Sequence, residues 1–279
     1  MIDLHTHSTF SDGSLTPEQL VQEAAFIGLS AIALTDHDTI GGVPRFLDAC
    51  RAAQIRGVPG VELSADIPNG SMHILGYFID LQHPELTVRL QEIQSGRVAR
   101  NAEILKHIND MGLALTMEEV ASYAGGDNIG RLHFAQALTA RGYVATRQEA
   151  FDRYLGKGRK GYAERIRMSP RDCIELIRRA GGVPVLAHPF TLDLGKQALT
   201  KQVAELVDYG LQGIEVFYPQ QNDRQMKQYQ AMAKTFSLVM TGGTDFHGAP
   251  MPDIKLGTGF GDTKIPETVL EQLDAIRSA

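Results

Sequence analysis

The opening residues MIDLHTHSTFSDGS place His5 and His7 two apart, with Asp12 five residues further on. In a strand, residues i and i+2 face the same way, so the two imidazoles project together. The arrangement recurs along the chain: His37 lies in LTDHD, Glu62 in GVELSA, His73 in SMHILG, His188 in LAHPF, and Asp245 and His247 in GGTDFHG. Each sits in or at the end of a short apolar run that reads as a strand. Any one histidine alone would be an ordinary core or surface residue. A set drawn from six of seven predicted strands is a ligand set. Imidazole and carboxylate donors without thiolate suit Zn²⁺, Mn²⁺ or Fe²⁺. The set is too large for one ion, so two to three divalent ions are expected, Mn²⁺ first and Fe²⁺ or Zn²⁺ as alternatives, with a carboxylate such as Glu62 able to bridge two. His83 and His107 stand in polar or helical contexts and read as surface residues.

The elements that must position this set follow from periodicity. Strands are expected at Ile2–His7, Ala31–Asp36, Val58–Ala65, Met72–Phe78, Val183–His188, Gly213–Tyr218 and Leu238–Thr244. Helices are expected at Pro17–Phe26, Val43–Ala53, Pro170–Arg179, Lys196–Tyr209, Asp223–Thr235 and Pro266–Arg277. Alternation of strand and helix predicts parallel strands with crossover helices, closed into a barrel-like α/β arrangement whose strand ends meet at one face. From Pro84 to Arg165 only helical patterns and turn signals occur: a long helix to Met111, then Met117–Tyr123, Arg131–Arg141 and Arg147–Tyr154. The expected division is therefore residues 1–83 and 166–279 as the barrel, with 84–165 an inserted all-helical subdomain.

Composition narrows the class. A formal charge of −6 over 279 residues argues against a globally basic nucleic-acid binder. Cys50 and Cys173 are far apart, lie in helical patterns and read as packing residues of a protein in a reducing compartment. No apolar run is long enough to span a membrane, and the chain enters a strand directly with no signal-peptide pattern. The expectation is a cytoplasmic protein with no membrane association and no obligate protein partner.

The HxH opening, TDHD, Glu62 and His73 of the third and fourth strands, AHP and TDFHG together resemble the polymerase and histidinol phosphatase (PHP) family, each motif in family order. The resemblance implies a distorted (β/α)7 barrel related to the amidohydrolase superfamily, and up to three divalent metals. It also implies ligand sets: His5, His7, Glu62 and Asp245 for one metal; Glu62, His73 and His188 for a second; Asp12, His37 and His247 for the third.

Clustered divalent metals lower the pKa of a bridging water and neutralise phosphoryl charge. The expected reaction is hydrolysis of a phosphate ester by a metal-bridging hydroxide, with no protein nucleophile. Asp36 and Asp38 flank His37 and are candidates for the leaving-group acid or for orienting that imidazole. The helical insertion adds candidate substrate contacts. Arg131 and His133 open the predicted helix in NIGRLHFAQAL, and GKGRKGYAERIR runs Lys157, Arg159, Lys160, Arg165 and Arg167 in a glycine-punctuated loop, the first three being the candidate phosphate contacts. A compact PHP protein with this insertion resembles the subgroup of 3′,5′-nucleoside bisphosphate phosphatases and enzymes acting on short RNA 5′ ends. That implies a small nucleotide or short oligonucleotide substrate, first of all the 3′-phosphate of a 3′,5′-nucleoside bisphosphate. Histidinol phosphate and 5′–3′ exoribonuclease activity on short RNA are the alternatives. A C–N hydrolase lacks this ligand set, and a non-catalytic PHP module would not be expected to keep it complete.

Overall fold

The computed structural model describes residues 1–124 and 129–277. Seven strands form one sheet in sequence order: β1 (Ile2–Asp3), β2 (Ala31–Leu34), β3 (Arg56–Ala65), β4 (Met72–Tyr77), β5 (Val183–Leu186), β6 (Gly213–Phe217) and β7 (Val239–Gly242). The first and last members meet just past their ends. Thr6 bridges Phe246 in parallel, the His7 N–H donates to Phe246 O at 3.0 Å, and the Asp245 N–H donates to His5 O at 2.9 Å. The sheet is thereby curled into the distorted barrel that the motifs implied.

The strands are not all parallel, which corrects the alternation rule. β4 runs antiparallel to β3, with Glu62 opposite Leu75, and antiparallel to β5, with Ile74 opposite Leu186. Only residues 66–71 join β3 to β4. A parallel crossover needs about a dozen residues or more, so this short connection can only make a hairpin. The reversal brings the beginning of β4 to the mouth, where His73 pairs in register with Ser64.

Ten helices are described: α1 (Pro17–Phe26), α2 (Val43–Ala53), α3 (Pro84–Asp110), α4 (Met117–Ala121), α5 (Arg131–Ala140), α6 (Arg147–Ala150), α7 (Pro170–Arg179), α8 (Lys196–Asp208), α9 (Asp223–Phe236) and α10 (Thr268–Arg277). α6 continues into one wider turn, Phe151–Leu155. Alternate strand residues face opposite ways. Ile2, Leu4, Ala31, Ala33, Val183 and Val185 share a core with Leu270 and Leu273 of α10, so α10 plugs the barrel interior. On the outer face Ile32 and Leu34 pack with α1 and α2, and Ile74, Leu186 and Ile214 with α7, α8 and α9.

The 27-residue α3 connects two cores. Its Leu86, Leu90 and Ile93 join the outer barrel core. Its Ile104 and Ile108 join a separate cluster with Phe134, Leu138 and Leu155. His83 accepts from the Leu86 N–H and so caps this helix. Among the described residues, no helix is long and apolar enough to cross a membrane.

Candidate metal and phosphate site

All nine candidate ligands converge at the barrel mouth, with Glu62 at the centre. Glu62 Oε1 lies 2.8 Å from His73 Nδ1 and 3.0 Å from His188 Nε2. Its Oε2 lies 3.0 Å from His37 Nδ1 and 3.3 Å from both His5 Nε2 and His7 Nε2. Asp245 Oδ1 is 2.9 Å from His7 Nε2 and 3.3 Å from His5 Nε2. Asp12 is 3.2 Å from His247 Nε2 and 3.7 Å from His37 Nε2. Three groups could each hold an ion: His5, His7, Glu62 and Asp245; His7, Asp12, His37 and His247; and His37, Glu62 and His73. The first is the set expected from sequence. The second adds His7 to the expected Asp12, His37 and His247. In the third, His37 stands with Glu62 and His73, while His188 reaches the same Glu62 oxygen as His73.

Four of the imidazoles are fixed from behind. His5 Nδ1 lies 3.1 Å from Glu215 Oε1, and His188 Nδ1 lies 3.1 Å from Thr191 Oγ1. His247 Nδ1 donates to the Asp245 carbonyl at 2.7 Å. His7 Nδ1 lies 3.4 Å from Ser11 Oγ, whose own hydroxyl donates to Asp36 at 2.5 Å. Each contact leaves Nε2 facing the carboxylates, as metal-binding histidines are held. Apart from these close contacts with one another, buried His5 Nε2, His7 Nε2, His73 Nδ1, Asp12 Oδ1, Glu62 Oε2 and Asp245 Oδ1 have no hydrogen-bond partner among the described residues. So many orphaned donors and acceptors at one point, all nitrogen and carboxylate oxygen, fit divalent cations.

The electrostatics agree. Burial alone would raise the Glu62 and Asp245 carboxyls, yet the surrounding histidines hold both well below the usual range. Burial opposes charge on His7, but Asp245 and Glu62 push it up to about 10.

Asp36 accepts from the Ser8 N–H at 2.7 Å, the Ser8 hydroxyl at 2.6 Å and Ser11. It steadies His7 through Ser11. Asp38 accepts from Ser64 and from Arg97 and Arg165 at 2.8 and 2.9 Å. Burial would raise its pKa, but Arg165 and Arg97 hold it below the ordinary value. These partners leave neither aspartate placed as a leaving-group acid. Sequence reasoning missed Glu215 and Tyr218, whose hydroxyl donates to Asp245 Oδ2 at 2.8 Å. Glu215 did have a signal: a lone carboxylate inside the apolar run GIEVF, fully buried.

Beside this centre the guanidiniums of Arg97, Arg100, Arg131, Arg165 and Arg167 surround a cavity of about 230 Å³. Arg97 and Arg165 share Asp38, the residue after His37. Arg131 lies over the Tyr162 and Phe151 rings. Arg100 is 5% exposed and has neither hydrogen bond nor ion pair among the described residues. Its burial and then its arginine neighbours push it down to about 9. Asp38 answers Arg97 and Arg165 and Asp66 lies 3.9 Å from Arg167, but buried Arg100 has no ion pair among the described residues, and this excess of cations over carboxylates calls for an anion.

Lys157, Arg159 and Lys160, expected to grip phosphate, are exposed and line neither this cavity nor the one containing His133. Two of their glycines serve chain packing instead. A Cβ at Gly156 would stand 2.7 Å from Phe151 O, and one at Gly161 2.9 Å from Ile108 and Tyr154 O. Arg131 does line the arginine cavity. His133 is buried and accepts from the Gly130 N–H at 3.0 Å through Nδ1, so its proton is on Nε2. It lines a second cavity, next to Asp12 and His247.

A model of the PHP domain matches residues 3–124. The chain is 34% identical over 257 residues to the 5′-3′ exoribonuclease Rnm of Salmonella typhimurium, covering 91% of this chain and 87% of the relative. It is 34% identical over 250 residues to the 3′,5′-nucleoside bisphosphate phosphatase of Chromobacterium violaceum, covering 88% and 87%. A solved structure from Bifidobacterium adolescentis, classed as a metal-dependent phosphoesterase, superposes with a TM-score of 0.84 at 27% identity, over 99% of this chain and 96% of that one.

Proposed function

The chain belongs to the PHP family of metal-dependent phosphoesterases, and from that premise we propose that it removes the 3′-phosphate of a 3′,5′-nucleoside bisphosphate. The arginine cavity beside the histidine–carboxylate cluster carries this reading. A substrate bearing two phosphates has one for each. Histidinol phosphate, with its cationic amine, has no counterpart for that cavity.

His5, His7, Glu62 and Asp245 would hold one ion, Glu62, His73 and His188 a second, and Asp12, His37 and His247 a third, Mn²⁺ being the expected metal. Bound there, the ions would activate water and neutralise phosphoryl charge. Glu215, Thr191 and Ser11 keep His5, His188 and His7 turned toward the centre. The arginines hold the non-reacting 5′-phosphate by charge-assisted hydrogen bonds and so present the 3′-phosphate to the cluster. Residues 84–165 act as the substrate-binding subdomain. Two free, buried cysteines fit a cytoplasmic protein.

The reading is tested with a panel of phosphate esters assayed with Mn²⁺ for release of phosphate. Adenosine 3′,5′-bisphosphate should be the preferred monoester, and His7→Ala or Asp245→Asn should lower bound metal and turnover by orders of magnitude. Arg100→Met should lower kcat/KM for the bisphosphate, relative to that for p-nitrophenyl phosphate, by about ten- to a hundred-fold, the scale of one lost charged contact. Hydrolysis in ¹⁸O-water should place the label in phosphate. A metal-free sample with full activity, or label in the nucleoside hydroxyl, would refute the scheme.

A further inference from the structure

As the P–O3′ bond breaks, the departing O3′ needs a hydrogen-bond donor, and the two aspartates that flank His37 are taken up by other partners. Such a donor must stand between the arginine cavity, which takes the 5′-phosphate, and the histidine–carboxylate cluster, which takes the 3′-phosphate. The first turn of α5 occupies that position. Arg131 lines the arginine cavity, and His133, two residues on, lines the adjoining cavity of about 700 Å³ with Asp12 and His247. Leu132 lines both, so this turn is the wall they share.

His133 is 6% exposed, and its Nδ1 accepts the Gly130 N–H at 3.0 Å, which caps a helix whose N-cap residue has no side chain of its own. That bond fixes the tautomer: Nδ1 keeps its lone pair and Nε2 carries the proton. Nε2 makes no hydrogen bond among the described residues. A second proton on the ring would turn Nδ1 into a donor facing a donor, and the positive end of α5 opposes the added charge. Burial pushes the imidazole below the ordinary histidine value; Asp12 opposes this and Arg97 adds to it. One ring that feels both charges stands between the candidate ligands and the arginines. It is held as a neutral donor whose N–H is unspent.

We infer that His133 donates a hydrogen bond from Nε2–H to O3′ of the departing nucleoside. This rests on the reading given under Proposed function and adds the group that faces the leaving oxygen. A hydroxyl oxygen from water bonds to phosphorus, the electron pair of the P–O3′ bond passes to O3′, and O3′ takes its proton from water. His133 gives up no proton. Its N–H stabilises the charge that builds on O3′, as donors aimed at a developing oxyanion do. O3′ carries that charge only in the transition state, so the contact raises kcat and leaves KM alone.

The experiment measures how kcat of the Mn²⁺-loaded protein depends on the leaving group, with adenosine 3′,5′-bisphosphate, phenyl phosphate and p-nitrophenyl phosphate. His133→Asn keeps an acceptor near Nδ1 and loses the N–H at Nε2. Its kcat should fall about a hundred-fold for the bisphosphate, less for phenyl phosphate and little for p-nitrophenyl phosphate, whose leaving anion needs least help, with KM and bound metal unchanged. His133→Gln brings an amide N–H to the place of Nε2 and gives up the cap. It should recover part of kcat for the bisphosphate and for phenyl phosphate. An equal loss on all three esters overturns the inference, because the donor then faces the phosphoryl oxygens. So does a loss confined to KM, no loss on any ester, or a glutamine variant no better than the asparagine one, which leaves His133 only its helix cap. A wild-type protein that hydrolyses the phenyl esters and not the bisphosphate removes the proposed substrate instead, and the two phenyl esters still decide the role of His133.

Discussion

Glu215 shows how much of the site depends on a residue that need never touch a metal. Its Oε1 faces His5 Nδ1 at 3.1 Å, and its Oε2 accepts the backbone N–H of His188 at 2.8 Å. One buried carboxylate thus fixes two candidate ligands on different strands. Glu215→Gln keeps the volume but lets the amide present its N–H to His5, which would favour the wrong tautomer. Bound metal and kcat/KM should each fall by about ten- to a hundred-fold, the usual effect of losing such a support. Elemental analysis alongside turnover distinguishes this from a loss in chemistry alone, where metal content would hold. The thiols are the opposite case. Cys50 is pushed up to about 12 by burial, and Cys173 higher still. With the thiol form favoured in the fold, the contribution to stability is complete below the unfolded pKa near 8.5 and is lost as pH rises toward 12. Iodoacetamide at pH 8 should label neither cysteine until the protein is unfolded in urea.

Among the elements, α3 and α5 show what joins the helical part to the barrel. Phe134 of α5 is fully buried with Ile104 and Ile108 of α3, whereas Leu86, Leu90 and Ile93 at the other end of α3 pack with the barrel. Phe134→Ala should cost about 3–5 kcal/mol where it packs. If residues 84–165 are a unit, hydrogen exchange should rise in peptides spanning 104–155 while β5, β6 and β7 stay protected. A uniform rise would refute that division. Most of this architecture was legible in the sequence, since strands and helices fall within a few residues of their predicted limits. The candidate ligands were legible because histidines and acids in apolar strands have no solvent to satisfy them. The direction of β4 was also available, in the short link 66–71, but strand–helix alternation was given more weight. The arginine cavity was available only in part: Arg131, Arg165 and Arg167 stood out in the sequence, but Arg97 and Arg100 of α3 did not, nor did the meeting of all five. Arg97, Arg100, Arg131, Arg165 and Arg167 come from three separate segments and meet only in the fold. The local basic run at Lys157–Lys160 was the louder signal and turned outward.

At the scale of the whole molecule, charge is unevenly spread. The chain carries a formal −6, yet five arginines converge on one small cavity next to the candidate metal centre. A substrate with two phosphates, roughly −3 to −4 in all at neutral pH, is opposed by the protein's net charge and drawn to this one region. Charges in a cleft focus the field, and added salt weakens it, the Debye length being about 10 Å at 0.1 M and about 3 Å at 1 M. The attraction scales with the charge on the ligand. Raising NaCl from about 0.05 to about 0.5 M should therefore lower kcat/KM for adenosine 3′,5′-bisphosphate several-fold, and lower it much less for p-nitrophenyl phosphate, which has no second phosphate to place among the arginines. Arg100→Met should flatten the bisphosphate curve, because one of the charges responsible is gone. Equal salt sensitivity for both substrates, or a slope unchanged in the variant, would mean that the bisphosphate is not captured through the arginine cavity.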